Sequence, residues 1–128
     1  MTIRIPTNVD DAYLASLPFD VTQTVFVGGT VRGSRRTTTA GWFGSNFDPT
    51  TGAVAIVRAD SALSDLVGER IRATYRAGGQ TRTVAVYVQD ERAFPDDLTE
   101  DLLLSRRAFF ALANLALDDI TVIVDVLA

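Results

Sequence analysis

The chain has no cysteine and no histidine among its 128 residues. Disulfides, thiolate nucleophiles and thiolate metal sites are therefore excluded. So are the usual general base near neutral pH and the commonest metal ligand. Lysine is also missing: all twelve basic residues are arginine, which excludes Schiff-base chemistry and a phosphate-loop lysine. No apolar run reaches the ~18–20 residues of a membrane span. The first residues lack the basic-then-apolar layout of a secretory leader. The expectation is a chain with no cofactor, no metal and no membrane partner. Acid–base work is left to carboxylates, hydroxyls and tyrosines.

What is present is a globular composition, 47% apolar and 22% charged, at a length that suits one domain. The net charge of −4 lacks the basic footprint of a duplex-binding protein, so no nucleic acid is expected. The one basic cluster is Arg32, Arg35 and Arg36. Such a cluster is read first as a solvated loop paired with acids of the chain, and second as a contact for an acidic neighbour.

Residues 1–37 read as an extended N-terminal arm. Ile3 and Ile5 alternate with polar residues, Tyr13 and Leu14 sit in a short helical stretch, and Phe26 lies in a strand over residues 21–27. From residue 38 the pattern is mainly β. Strands are expected over residues 40–43, 53–59, 70–76, 80–89 and 120–127. Ile71, Ala73 and Tyr75 share one face, as do Val84, Val86 and Val88, and Gly78-Gly79 makes a hairpin turn. Ser61 is expected to cap a helical turn. Ser105 is expected to cap a helix from 106 to about 115, with Asp96, Asp97, Glu100 and Asp101 as a solvated acidic approach. From 108 to 117 only Asn114 is polar. A helix apolar on two faces must be covered on both, so Phe110 and Leu117 are candidate interface residues.

Five segments in order carry a resemblance. They are Ala40-Gly41-Trp42-Phe43-Gly44; Arg58-Ala59-Asp60-Ser61-Ala62-Leu63 with Val67-Gly68-Glu69; Asp90-Glu91-Arg92-Ala93-Phe94; Leu103-Leu104-Ser105 with Arg106-Arg107-Ala108; and the Val-rich residues 122–127. Over residues 38–128 the chain resembles the RlpA-like family. That resemblance implies a six-stranded double-psi β-barrel with one or two short helices. It also implies peptidoglycan as substrate and lytic-transglycosylase chemistry. Residue by residue, Asp90 keeps the position of the catalytic acid and Asp60 stands where the family has histidine. Arg92 and Ala93 replace the glycine and proline that follow the acid, and Leu103 replaces an aspartate. Glycan cleavage needs a protonated carboxyl beside developing charge. An exposed Asp90 beside Glu91 and Arg92 would be ionised instead.

The expectation is therefore a non-catalytic assembly protein, with Asp90 and Asp60 the catalytic candidates if it is an enzyme. Trp42, Phe43 and Phe47 are candidates for glycan contact, and are read first as core or interface anchors. Phage tails commonly reuse small β domains, so the expected setting is a bacteriophage virion, as a tail or tail-tip component. The expected partners are further copies of the chain or other virion proteins, through Ile3, Ile5, Tyr13, Leu14, Phe26, the three arginines, Phe110 and Leu117. The alternatives are a lytic-transglycosylase-like enzyme or a cell-wall glycan-binding module.

Overall fold

A computed structural model describes residue 19 and residues 27–43 and 53–128. Ile3, Ile5, Tyr13, Leu14, Phe26 and Phe47 lie outside the described residues. The described chain is mainly β. Its strands are β1 (Val31–Phe43), β2 (Val54–Arg58), β3 (Arg70–Ala77), β4 (Gln80–Arg92), β5 (Leu102–Ser105) and β6 (Ile120–Leu127). One α-helix, α1 (Arg106–Phe110), follows β5, and short 3-10 turns cover Ser64–Leu66 and Leu115–Leu117.

The six strands close on themselves in the order β1-β5-β2-β4-β3-β6. The β1–β5 and β2–β4 pairs are parallel, and the other four are antiparallel. The alternation read from sequence explains the inside. Ile71 and Ala73 of β3, Val84, Val86 and Val88 of β4, and Val122, Val124 and Val126 of β6 are all buried. They are joined by Ala55 and Val57 of β2 and Leu102 and Leu104 of β5. Each fully buried Val, Leu or Ile side chain contributes roughly 1.5–3 kcal/mol. Phe109, Phe110 and Leu112 complete this core from the helical segment. Gly78-Gly79 turns the β3–β4 hairpin with φ of 59° and 77°, as the sequence predicts.

Several expectations change. Residues 31–37, expected in the arm, are the first half of β1, and pair with β6 from Val31 opposite Leu127 onward. The arginine cluster is therefore on a strand, not in a loop. The register slips between Arg32 and Arg36, where Gly33 takes φ 76°. That bulge adds backbone on the β1 side and carries Arg35 alongside Asp125.

The helix is shorter than its apolar run suggests. After Phe110 the chain turns, and Asn114 Oδ1 accepts from the Ala116 N–H at 2.7 Å to start the second 3-10 turn. Ser105 precedes α1 but makes no side-chain cap to it. Its Oγ instead accepts from the Val54 N–H, at 3.3 Å, and so ties β5 to β2. Phe110, expected on a face awaiting a partner, is 0% exposed. It is a core residue, not the interface residue expected from the apolar run.

Candidate functional site

Three places bring chemically useful side chains together, and only one matches the resemblance. The first is the end of the β2–β4 pair. Asp90 stands opposite Ile56, and Arg92 opposite Arg58. The Ala59 N–H still donates to the Arg92 carbonyl, and Asp60 follows in an exposed turn with φ 60°. The Asp90 side chain is 50% exposed. Its carboxylate accepts from the Glu91 N–H at 2.8 Å and from Arg92 Nε at 3.4 Å.

Trp42 lies on β1 opposite Leu104. Its ring is half-buried against the core, its Nε1 donates to the Leu115 carbonyl at 3.0 Å, and the Arg106 guanidinium lies 5.2 Å from the ring centroid. Phe43, one residue on, is also half-buried. The indole is thus fixed as an anchor between β1 and the second 3-10 turn. Gly41 beside it allows a close approach: a Cβ there would stand 3.1 Å from Leu103 Cδ2 and 3.3 Å from the Asp118 carbonyl oxygen.

Glu100 belongs to this neighbourhood too. The sequence placed it on a solvated face with Asp96, Asp97 and Asp101. Asp96 and Asp97 are exposed, but Glu100 is 7% exposed and its Oε2 is buried without a partner among the described residues. Asp101 pairs with Arg58 Nε at 3.1 Å. Arg58 also donates to the carbonyls of Leu98 and Glu100 and lies 5.0 Å from the Phe94 ring centroid. One arginine thereby fastens the whole 94–101 connection to β2, and draws Glu100 inward with it.

The second place is the arginine cluster. Each member has an acid of the same chain. Arg32 pairs with Glu69. Arg36 makes two 2.8 Å bonds to the Asp65 carboxylate and a third to the Ala62 carbonyl. Arg35 donates from Nε and Nη2 to the two oxygens of Asp125, at 3.0 and 3.2 Å. Arg72 Nη2 reaches the same carboxylate at 3.0 Å, and its Nη1 reaches the Val27 carbonyl at 3.2 Å. Burial on its own would raise the Asp125 pKa. The hydrogen bonds and charges of Arg35 and Arg72 outweigh it and hold the carboxyl below its ordinary value. The hydrogen bond from Arg36 likewise lowers Asp65. A mixed-charge cavity of about 200 Å³ lies over Arg32, Arg36, Asp65 and Glu69. Pairing within the chain, the first reading of the cluster, is what these contacts show.

The third place was not foreseen as a site. A groove of about 280 Å³ runs between the tip of the β3–β4 hairpin and the segment after α1. Tyr75, Ala77, Leu112 and Leu117 give it apolar walls. Arg82, 6% exposed, lies at its edge; its Nε donates to the Ala111 carbonyl at 2.7 Å and its guanidinium stacks 3.6 Å from the Phe19 ring centroid. Leu117 is 50% exposed, which keeps it as a candidate contact residue. Neither Asp60 nor Asp90 lines either cavity.

No family model matches the chain, and no curated protein matches it. Among solved structures it is similar to the Streptomyces papain inhibitor, with 18% identity and a TM-score of 0.51. The match covers 79% of this chain and all of that one, and at such identity the likeness is one of fold.

Proposed function

We propose that this chain is a non-catalytic structural protein, a degenerate double-psi barrel of the RlpA-like type that serves as a subunit of a larger particle. The particle we infer is a bacteriophage tail or tail tip. The closed six-strand order with two parallel pairs supports the barrel type. The observation that carries the loss of catalysis is the setting of Asp90: half-exposed, bonded to Arg92, and lining neither of the two cavities. Acid catalysis on a glycan needs a carboxyl that keeps its proton near neutral pH. Asp90 instead sits half in solvent with a guanidinium for a partner. The fixed indole of Trp42 supports its reading as an anchor rather than a sugar platform.

Purified chain incubated with sacculi is expected to release no muropeptides. Release that disappears in Asp90→Asn would overturn the reading and restore the transglycosylase alternative. Retention on sacculi that is lost in Trp42→Ala would favour the glycan-binding alternative. Immunodetection of the chain in purified particles tests the positive half of the proposal. The same preparation, in excess over papain, is expected to leave that protease active. Inhibition would replace particle assembly with protease binding.

A further inference from the structure

We propose that the chain ahead of β1 is a clip on the β3–β4 hairpin, with Phe19 gripping one face and Val27 the other. The inference goes beyond the assembly reading and stands whether or not that reading holds. It starts from a hairpin end that the ring leaves unsupported. β6 pairs with β3 only from Ile71 to Thr74, and β2 pairs with β4 only from Tyr87 onward. Among the described strands, residues 75–82 therefore pair only with each other. A two-stranded ribbon by itself is marginal in water, so its faces need something against them. Both faces have it. Arg82 is 6% exposed, and the directly paired Thr74 and Thr83 are 8% and 7% exposed.

Side chains alternate along a strand, so Arg82 shares the side of Val84 and Val86, while Thr83 and its partner Thr74 point the other way. On the inner side Arg82 Nε donates to the Ala111 carbonyl, and its guanidinium lies 3.6 Å from the Phe19 ring centroid. On the outer side the Val27 N–H donates to Thr83 Oγ1, and the Val27 carbonyl accepts from Arg72 Nη1 at 3.2 Å. Arg72 is a preset donor, because the buried Asp125 already holds its Nη2. Phe19 and Val27 thus hold two consecutive residues of β4 from opposite sides. Seven residues join them, a reach of up to about 25 Å, ample to round the free edge of a sheet whose faces pack on neighbours about 10 Å away. Each grip is weak alone. Joined by so short a tether they act as one, because fixing Val27 holds Phe19 at high effective concentration beside Arg82.

Hydrogen exchange of the full chain, followed amide by amide by NMR, tests this. In the wild type the Val27 amide is expected to be protected equally in dilute and concentrated solution. Phe19→Ala should speed its exchange about tenfold, although Phe19 touches the other side of the hairpin. Phe19→Trp, which keeps a ring over Arg82, should leave it protected. Thr83→Val removes the acceptor and keeps the shape, and should weaken the ring-current shift that Phe19 imposes on the Arg82 side chain. The amides of Val86 and Val124 should exchange as in the wild type throughout. Val27 exchange unchanged in Phe19→Ala overturns the clip. Protection lost on dilution overturns it too, by giving the grip to a second copy. A general rise at Val86 and Val124 in Phe19→Ala would make Phe19 a part of the barrel core, which is the third result that sinks the proposal.

Discussion

Asp125 and Asp90 are both strand aspartates beside arginines, and they behave as opposites. Asp125 on β6 is 1% exposed and is held by two arginines on the two neighbouring strands. Asp90 on β4 is half in solvent, and its arginine is two residues away on its own strand. A charge taken out of water persists only where its partners come with it, and it then becomes part of the scaffold. A charge left in water is cheap to keep and cheap to lose. The comparison separates a charge the fold depends on, Asp125, from one the fold can lose, Asp90.

The largest expected effect follows from the buried partner. Asp125→Ala should cost about 3 kcal/mol, because Arg72 is left in a largely enclosed place without its counter-charge. Denaturant unfolding measures it, and a loss equal to that of Asp90→Ala would erase the distinction. The pH dependence has the same origin. The folded-state pKa values of Asp125 and Asp65 lie below their unfolded values. The stability they contribute is present above the ordinary carboxylate range and is lost as pH falls through the folded values. The wild type should therefore lose stability steeply below about pH 4, and Asp125→Asn should flatten that slope in acid unfolding followed by circular dichroism.

At the Asp90 end the constraints are space and one buried carboxylate. Gly41→Ala should cost about 1–2 kcal/mol from crowding against Leu103 and the Asp118 carbonyl. Glu100→Gln should have the opposite sign, a gain of about 1 kcal/mol, since it alters a buried carboxylate whose Oε2 has no partner among the described residues. A loss at Glu100→Gln in thermal unfolding would show that the carboxylate is held after all. The smallest effect is expected for Asp90→Asn, within ~0.5 kcal/mol of wild type.

The sequence exposed this contrast only in part. Strand faces were legible, because alternation is local: Ile71 and Ala73, or Val84, Val86 and Val88, announce one side of a sheet within a few residues. That Arg32, Arg35 and Arg36 would find acids in the chain was also legible. Which acids was not, since Glu69, Asp125 and Asp65 are 37, 90 and 29 residues away. Strand β5 went unseen for a similar reason. Its four residues are buried between β1 and β2, and nothing nearby in sequence signals either neighbour. The apolar run from 108 to 117 suggested one long helix, but burial in a barrel end asks only for apolar side chains, and Asn114 interrupts the run by bonding its own backbone. Glu100 was misplaced because its burial is imposed by Arg58, forty-two residues away.

The strand order has a bearing on how the molecule comes to exist. Among the described strands only the β3–β4 pair joins neighbours in the sequence; every other described pair waits for a distant segment, and β6 must bridge β1 and β3 to complete the ring. Until residues 120–127 have left the ribosome, the nascent chain holds a hairpin and unmatched ribbon edges. Closure is therefore expected only once residues 120–127 are available, over roughly milliseconds to seconds, with an interval in which a chaperone or a sister chain has open edges to grasp.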